Sequence, residues 1–150
     1  MELILWRHAE AEDTAPDMAR VLTAKGHKQA EKMAAWLKPR LPGKPRILVS
    51  PAQRAQQTAA ALGLDFSTWE ALAPGTTVQA MMQATGWPMA DGTVLVVGHQ
   101  PTLGALAAYV LTRKAAYWSI KKGAIWWISS WGRAGEDQTI LRAALSPDLV

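Results

Sequence analysis

Three short apolar runs, at residues 3–6, 46–50 and 94–98, punctuate the first hundred residues of the chain. They are rich in Ile, Leu and Val and lack polar alternation, as strands buried on both faces of a sheet do. Between them Ala30, Met33, Ala34 and Leu37 recur at three- and four-residue steps, and Ala55, Thr58, Ala59 and Leu62 repeat the spacing. That period predicts one apolar helix face in each interval.

Thr23 fits the cap of the first helix, Gly26 its opening turn, and Pro39 and Pro42 its end. Residues 3–50 therefore read as one β-α-β unit. A parallel crossover of this length requires a helix against the sheet. The expected fold is α/β, three-layer α/β/α, with a mostly parallel central sheet flanked by helices on both faces. Leu103, Leu106, Ala107, Val110 and Leu111 predict a further helix. Residues 124–130 and 139–145 predict two more strands, with a turn over 132–137. Trp126 and Trp127 are adjacent in the first of these and should face opposite sides. Met81, Met82 and Met89 read as core filler.

Composition narrows the class. Hydrophobic residues make up 49% of the 150 and charged residues 19%, enough for one packed domain over 1–150 with no linker or repeat. The chain has no cysteine, which excludes disulfides, thiolate metal sites and a cysteine nucleophile. Residues 3–6 are too short for a signal core or a membrane span, so a cytoplasmic protein is expected. Sixteen Lys and Arg against 12 Asp and Glu give a formal charge of +4 and a bias toward anions. The cations are scattered, with no nucleic-acid tail.

Each of the three central strands ends in a residue able to bind phosphate. Arg7 and His8 follow the first, Arg54 the second, His99 the third. Strand ends of one direction share an edge, where ligands of open α/β sheets bind. Arg54 also opens a helix, whose N-terminus favours an anion. Arginine forks hold a tetrahedral dianion, and a neutral imidazole can attack phosphorus directly. Gln100 and Thr102 adjoin His99 and could add hydrogen bonds there, the other open reading being that Thr102 caps the next helix.

With these residues in place the chain resembles the histidine phosphatase superfamily, which also contains the cofactor-dependent phosphoglycerate mutases. The likeness rests on Arg7-His8-Ala9, on Leu22 to Gly26, on Ser50 to Thr58 and on Gly98-His99, in the family's order. Ala9 stands where many relatives have Gly, which requires a negative φ there. Without a large cap insertion, and with Arg20 before Leu22-Thr23, the chain looks most similar to the short SixA-type phosphohistidine phosphatases. The resemblance implies His8 as nucleophile, Arg7 and Arg54 as clamps on the phosphoryl oxygens and His99 as a further donor. It implies Glu70 as the nearest candidate acid and Arg20 as a further phosphate-binding residue. It implies no cofactor and no metal, and a substrate that is phosphohistidine on a protein, such as a phosphotransfer domain. A monomer without nucleic-acid or membrane partners is expected.

Other readings stay open at this level. A broad small-molecule phosphomonoesterase needs the same residues, and a phosphoprotein-binding module could keep the pocket without turnover. A metallohydrolase could be built if residues 8–13 continued as a strand, placing His8, Glu10 and Glu12 on one face.

Overall fold

The computed structural model describes residues 1–132 and 138–150. Ten principal elements follow in chain order: β1 (Glu2–Arg7), α1 (Ala24–Leu37), β2 (Arg46–Val49), α2 (Gln53–Ala60), β3 (Ser67–Thr68), α3 (Val78–Thr85), β4 (Thr93–Gly98), α4 (Thr102–Thr112), β5 (Ile125–Trp131) and β6 (Gln138–Leu145). The strands form one sheet in the order β3-β2-β4-β1-β5-β6. β1, β2, β3 and β4 run parallel, and β5 and β6 are antiparallel to their neighbours.

β4 lies between β2 and β1, and all six of its residues are buried. Its side chains alternate between two cores. Val94 and Val96 join Leu3, Leu5 and Leu48 beneath Met81, Leu103, Leu106 and Val110 of α3 and α4. Leu95 and Val97 join Ile4, Trp6, Ile47 and Val49 beneath Met33, Leu37, Ala55 and Ala59 of α1 and α2. Each buried Leu, Ile or Val side chain stabilises the fold by about 1.5–3 kcal/mol. The expected three-layer α/β/α arrangement is thus present, with β1, β2 and β4 at its centre.

The expected elements match in place. The predicted helix around 103–111 extends to Thr102–Thr112, and the last two strands shift by a residue or less at each end. Trp127 packs in the α1/α2 core and Trp126 lies against the opposite one, where its ring meets Trp118 at 5.8 Å. Of the methionines read as core, Met81 is buried and Met82 partly so, but Met89 is exposed. The predicted turn at 132–137 falls, beyond Gly132, outside the described residues. No helix among the described residues is long and apolar enough to cross a membrane.

α1 begins as its sequence suggests, with Thr23 Oγ1 accepting from the Gly26 amide at 2.9 Å. Gly26 is required by proximity as well, because a Cβ there would lie 1.9 Å from the Glu10 carbonyl oxygen. The start of α1 is thereby pressed against the segment that leaves β1.

Candidate active site

Register brings the strand ends together. Arg7 is paired with Gly98, and Val49 with Val97. The His8 amide donates to Gly98 O at 3.1 Å and the Ser50 amide to Val97 O at 3.0 Å, so His8, Ser50 and His99 leave the sheet side by side. The His8 and His99 rings are 5.1 Å apart, and both residues are buried.

His8 Nδ1 lies 2.8 Å from the carbonyl oxygen of Ala9. A carbonyl only accepts, so the ring proton of the neutral imidazole sits on Nδ1 and the lone pair on Nε2. Burial is the largest influence on its pKa, and the cations of Arg54, Arg7 and Arg20 act in the same direction against the Ala9 bond. Together they bring it to about 4. At neutral pH His8 is an uncharged ring with one exposed lone-pair nitrogen. The Ala9 backbone is not left-handed, and its amide donates to Thr58 Oγ1 at 3.0 Å. The methyl group in place of glycine is thereby accommodated.

His99 Nε2 is 2.6 Å from Ser50 Oγ, while its Nδ1 is buried without a partner. Desolvation, followed by His8 and the two arginines, lowers its pKa to about 3. Arg54 is buried on the first turn of α2. Its guanidinium donates to Asp17 O at 2.8 Å and Asp17 Oδ2 at 3.2 Å, leaving Nε without a partner. Arg7 donates to Ile120 O at 2.9 Å and likewise leaves a buried Nε unpartnered. Two guanidinium N–H groups and one imidazole nitrogen are therefore desolvated and unused in one place. Buried polar groups without partners cost about 1–3 kcal/mol each, a cost relieved when an anion accepts from them.

Arg20 donates through Nε to Glu12 O at 2.8 Å and meets Asp17 Oδ1 at 3.4 Å, so it reaches the cluster through the carboxylate that also holds Arg54. Glu70 is exposed and opens a 3-10 turn, Glu70–Leu72, that is anchored by the buried Leu72. The Trp69 amide donates to Val49 O at 2.9 Å, which starts that turn beside the end of β2. Among the described residues the Glu70 carboxylate makes no hydrogen bond or ion pair with the cluster.

Two sequence readings change. β1 ends at Arg7, so residues 8–13 do not alternate as a strand, and the Glu10 carboxylate instead accepts from Thr23 Oγ1 at 2.8 Å. Thr102 is the first residue of α4 and its hydroxyl donates to Thr76 O at 2.8 Å. The capping bond comes from Gln100, whose Oε1 accepts from the Gly104 amide at 2.6 Å. A long amide side chain one turn back reaches the orphan N–H that Thr102 cannot. Ser50, Thr58 and Asp17 were not among the site residues expected from the sequence. Ser50 and Thr58 carried a signal, a hydroxyl at the end of a buried strand and another on an apolar helix face. Asp17 carried none.

Residues 3–73 match the model of the histidine phosphatase superfamily, branch 1. The phosphohistidine phosphatase SixA of Escherichia coli K12 is 36% identical over 72% of this chain and 73% of its own. The chain belongs to the histidine phosphatase superfamily. An uncharacterized protein of Mycobacterium tuberculosis is also 36% identical, over 67% of this chain and 66% of the relative, just under two thirds of its length. Among solved structures, the protein histidine phosphatase SixA complexed with tungstate superposes with a TM-score of 0.78 at 28% identity, covering 99% of both chains. A structure from Nakamurella multipartitia that carries the SixA name gives 0.81 at 28% identity, over 97% of this chain and 95% of that one. This superfamily member thus shares its whole described architecture with those two folds.

Proposed function

We propose that this protein is a phosphatase that removes phosphate from phosphohistidine on a protein, through a covalent phosphohistidine intermediate on His8. The observation that carries the reading is the Ala9 carbonyl on His8 Nδ1, which leaves Nε2 with its lone pair free between Arg7, Arg54 and His99. Nε2 attacks phosphorus, a bond forms from His8 to phosphorus, and the bond to the substrate imidazole breaks. Water then attacks the phosphorus of phospho-His8, releasing inorganic phosphate and returning the electron pair to Nε2.

Arg7 and Arg54 supply fixed cations to the phosphoryl oxygens, and His99 Nδ1–H adds a donor when Ser50 directs its hydroxyl proton to Nε2. Arg20 extends the positive field at the cluster's rim. The leaving imidazole has a conjugate-acid pKa of roughly 6.5, so it departs as a far better leaving group than an alkoxide. Glu70, exposed at the same sheet edge, is assigned to proton delivery for that group. The steps draw on protein side chains and water alone, with neither metal nor cofactor, in a cytoplasmic monomer. The tungstate complex of the SixA relative supports the reading, since tungstate is a tetrahedral dianion like phosphate.

The test is phosphate release from a phosphohistidine protein and from a simple phosphate monoester, by wild type and His8→Ala, with and without EDTA. Faster release from phosphohistidine, insensitive to EDTA and lost in His8→Ala, is expected. Preferential monoester turnover would move the substrate class to small phosphates. Loss in EDTA would overturn metal-free chemistry, and binding without turnover would leave a recognition module.

A further inference from the structure

A groove of about 700 Å³ opens beside Arg7, on the α1 side of the site. Arg7, Lys25, Lys28, Lys32, Lys121 and Lys122 line it against two carboxylates, Glu10 and Asp148. This excess of four cations equals the formal +4 of the entire chain, so all other ionised side chains balance. The charge is gathered where the sequence had it scattered. Lys25, Lys28 and Lys32 fall on successive turns of one face of α1, spanning about 10 Å along its axis. Lys121 and Lys122 come from the segment before β5.

That segment is tied to the catalytic loop at both ends. Ile120 O accepts from Arg7, and the Gly123 amide donates to His8 O at 3.0 Å. The helix side is tied as well, through Gln29 Oε1 accepting from the Glu10 amide at 2.9 Å. The Glu10 carboxylate is engaged by Thr23, and Asp148 stands 4.0 Å from Lys121 at the groove's far end. Among the described residues Lys25, Lys28 and Lys122 enter no ion pair. No aromatic side chain lines the groove, so it offers nothing for a nucleobase to stack on. Exposed lysines on flexible stems, unlike buried arginine forks, steer and orient a charged surface rather than enclose a small ion.

We propose that this groove docks an acidic surface of the phosphohistidine-bearing protein, carboxylates beside the phosphohistidine meeting the α1 lysines while the phosphoryl group enters at Arg7. The proposal rests on the substrate class assigned above. It assigns to Lys25, Lys28 and Lys122 a part in recognising the protein and none in the chemistry.

The test compares wild type with Lys25→Glu/Lys28→Glu/Lys122→Glu on two substrates, a phosphotransfer domain of net negative charge phosphorylated on histidine, and free phosphohistidine. All three side chains are exposed, and circular dichroism with the free-phosphohistidine rate reports whether the variant is folded. At low salt kcat/KM on the protein substrate is expected to fall about tenfold or more, with free phosphohistidine unchanged. Wild-type turnover of the protein should also fall with added salt more steeply than the variant's. Unchanged protein turnover, or equal loss on both substrates, overturns the groove's role and leaves the phosphohistidine assignment standing. Wild type that releases phosphate from neither substrate, yet hydrolyses a monoester, overturns the substrate class and the docking proposal with it.

Discussion

Ser50 Oγ lies 2.6 Å from His99 Nε2, joining the residue after β2 to the residue after β4. The Ala52 amide donates to the same Oγ at 3.2 Å, which leaves the hydroxyl proton free to point at His99. A hydroxyl proton directed at Nε2 favours the tautomer with hydrogen on Nδ1. Ser50→Ala is expected to lower kcat about 10-fold to 100-fold with a smaller change in KM, as loss of an oriented transition-state donor does. Ser50→Thr should restore most of it. The ¹⁵N shifts of His99 should report the Nδ1–H tautomer in wild type and a mixture in Ser50→Ala.

Acid should weaken the fold through the same two histidines. Their folded pKa values, about 4 for His8 and about 3 for His99, lie below the ordinary 6.5. Between those limits the unfolded chain binds protons that the folded one refuses, so stability rises with pH. The contribution is complete above pH 6.5 and declines as pH falls toward 4. Unfolding free energies from urea titrations at pH 7.5 and pH 4.5 should differ by more in wild type than in His8→Ala or His99→Ala, by an amount on the order of a few kcal/mol.

Asp17 occupies guanidinium donors that the proposed phosphoryl substrate would also use. Desolvation is the largest single influence on its pKa and raises it, but the hydrogen bonds and charges of Arg54 and Arg20 together outweigh it and hold the carboxyl below its usual range. On the proposed mechanism its negative charge would stand beside the incoming dianion. Asp17→Asn keeps the shape and removes the charge, which at an exposed position is worth up to about 1 kcal/mol. Inorganic phosphate or tungstate should inhibit the variant severalfold more tightly, measured as a competitive constant. An unchanged constant would place the anion away from Arg54.

Gly26→Ala sets a methyl group against the Glu10 carbonyl, a backbone atom that cannot swing aside. The variant should lose about 1–3 kcal/mol in urea unfolding. Because the displaced segment follows His8 directly, kcat should drop with it, whereas Ala35→Gly on the exposed side of α1 should lower stability alone.

The sequence made the central strands legible because burial on both faces leaves unbroken apolar runs, and it made α1, α2 and α4 legible through their spacing. β3 was not legible, since Ser67 and Thr68 are exposed and become a strand only by pairing with Leu48 and Val49. α3 could have been found. Thr77 caps it and Gly86 ends it with φ of 72°, a start and a stop around Met81 and Ala84. At the site, His8, Arg7, Arg54 and His99 could be grouped because parallel strands deliver their ends to one edge. Their partners were hidden for a physical reason. The Ser50–His99 and Asp17–Arg54 bonds span 49 and 37 residues, and no local pattern encodes which distant acceptor a side chain will find.

The segment between α4 and β5 has a bearing on how such chains can diverge. Trp118 O accepts from Gln100 at 2.8 Å, next to His99, and Ile120 and Gly123 hold Arg7 and His8. A Cβ on Gly104 would lie 1.6 Å from Trp118 O, so the strap is pressed onto α4 as well. Both histidine loops hang from the six residues 118–123. An insertion or deletion there shifts the two halves of the site relative to each other, although none of the six touches the reacting atoms. Length at this connection is therefore constrained by the chemistry, and variation in chain length among functional relatives should collect elsewhere.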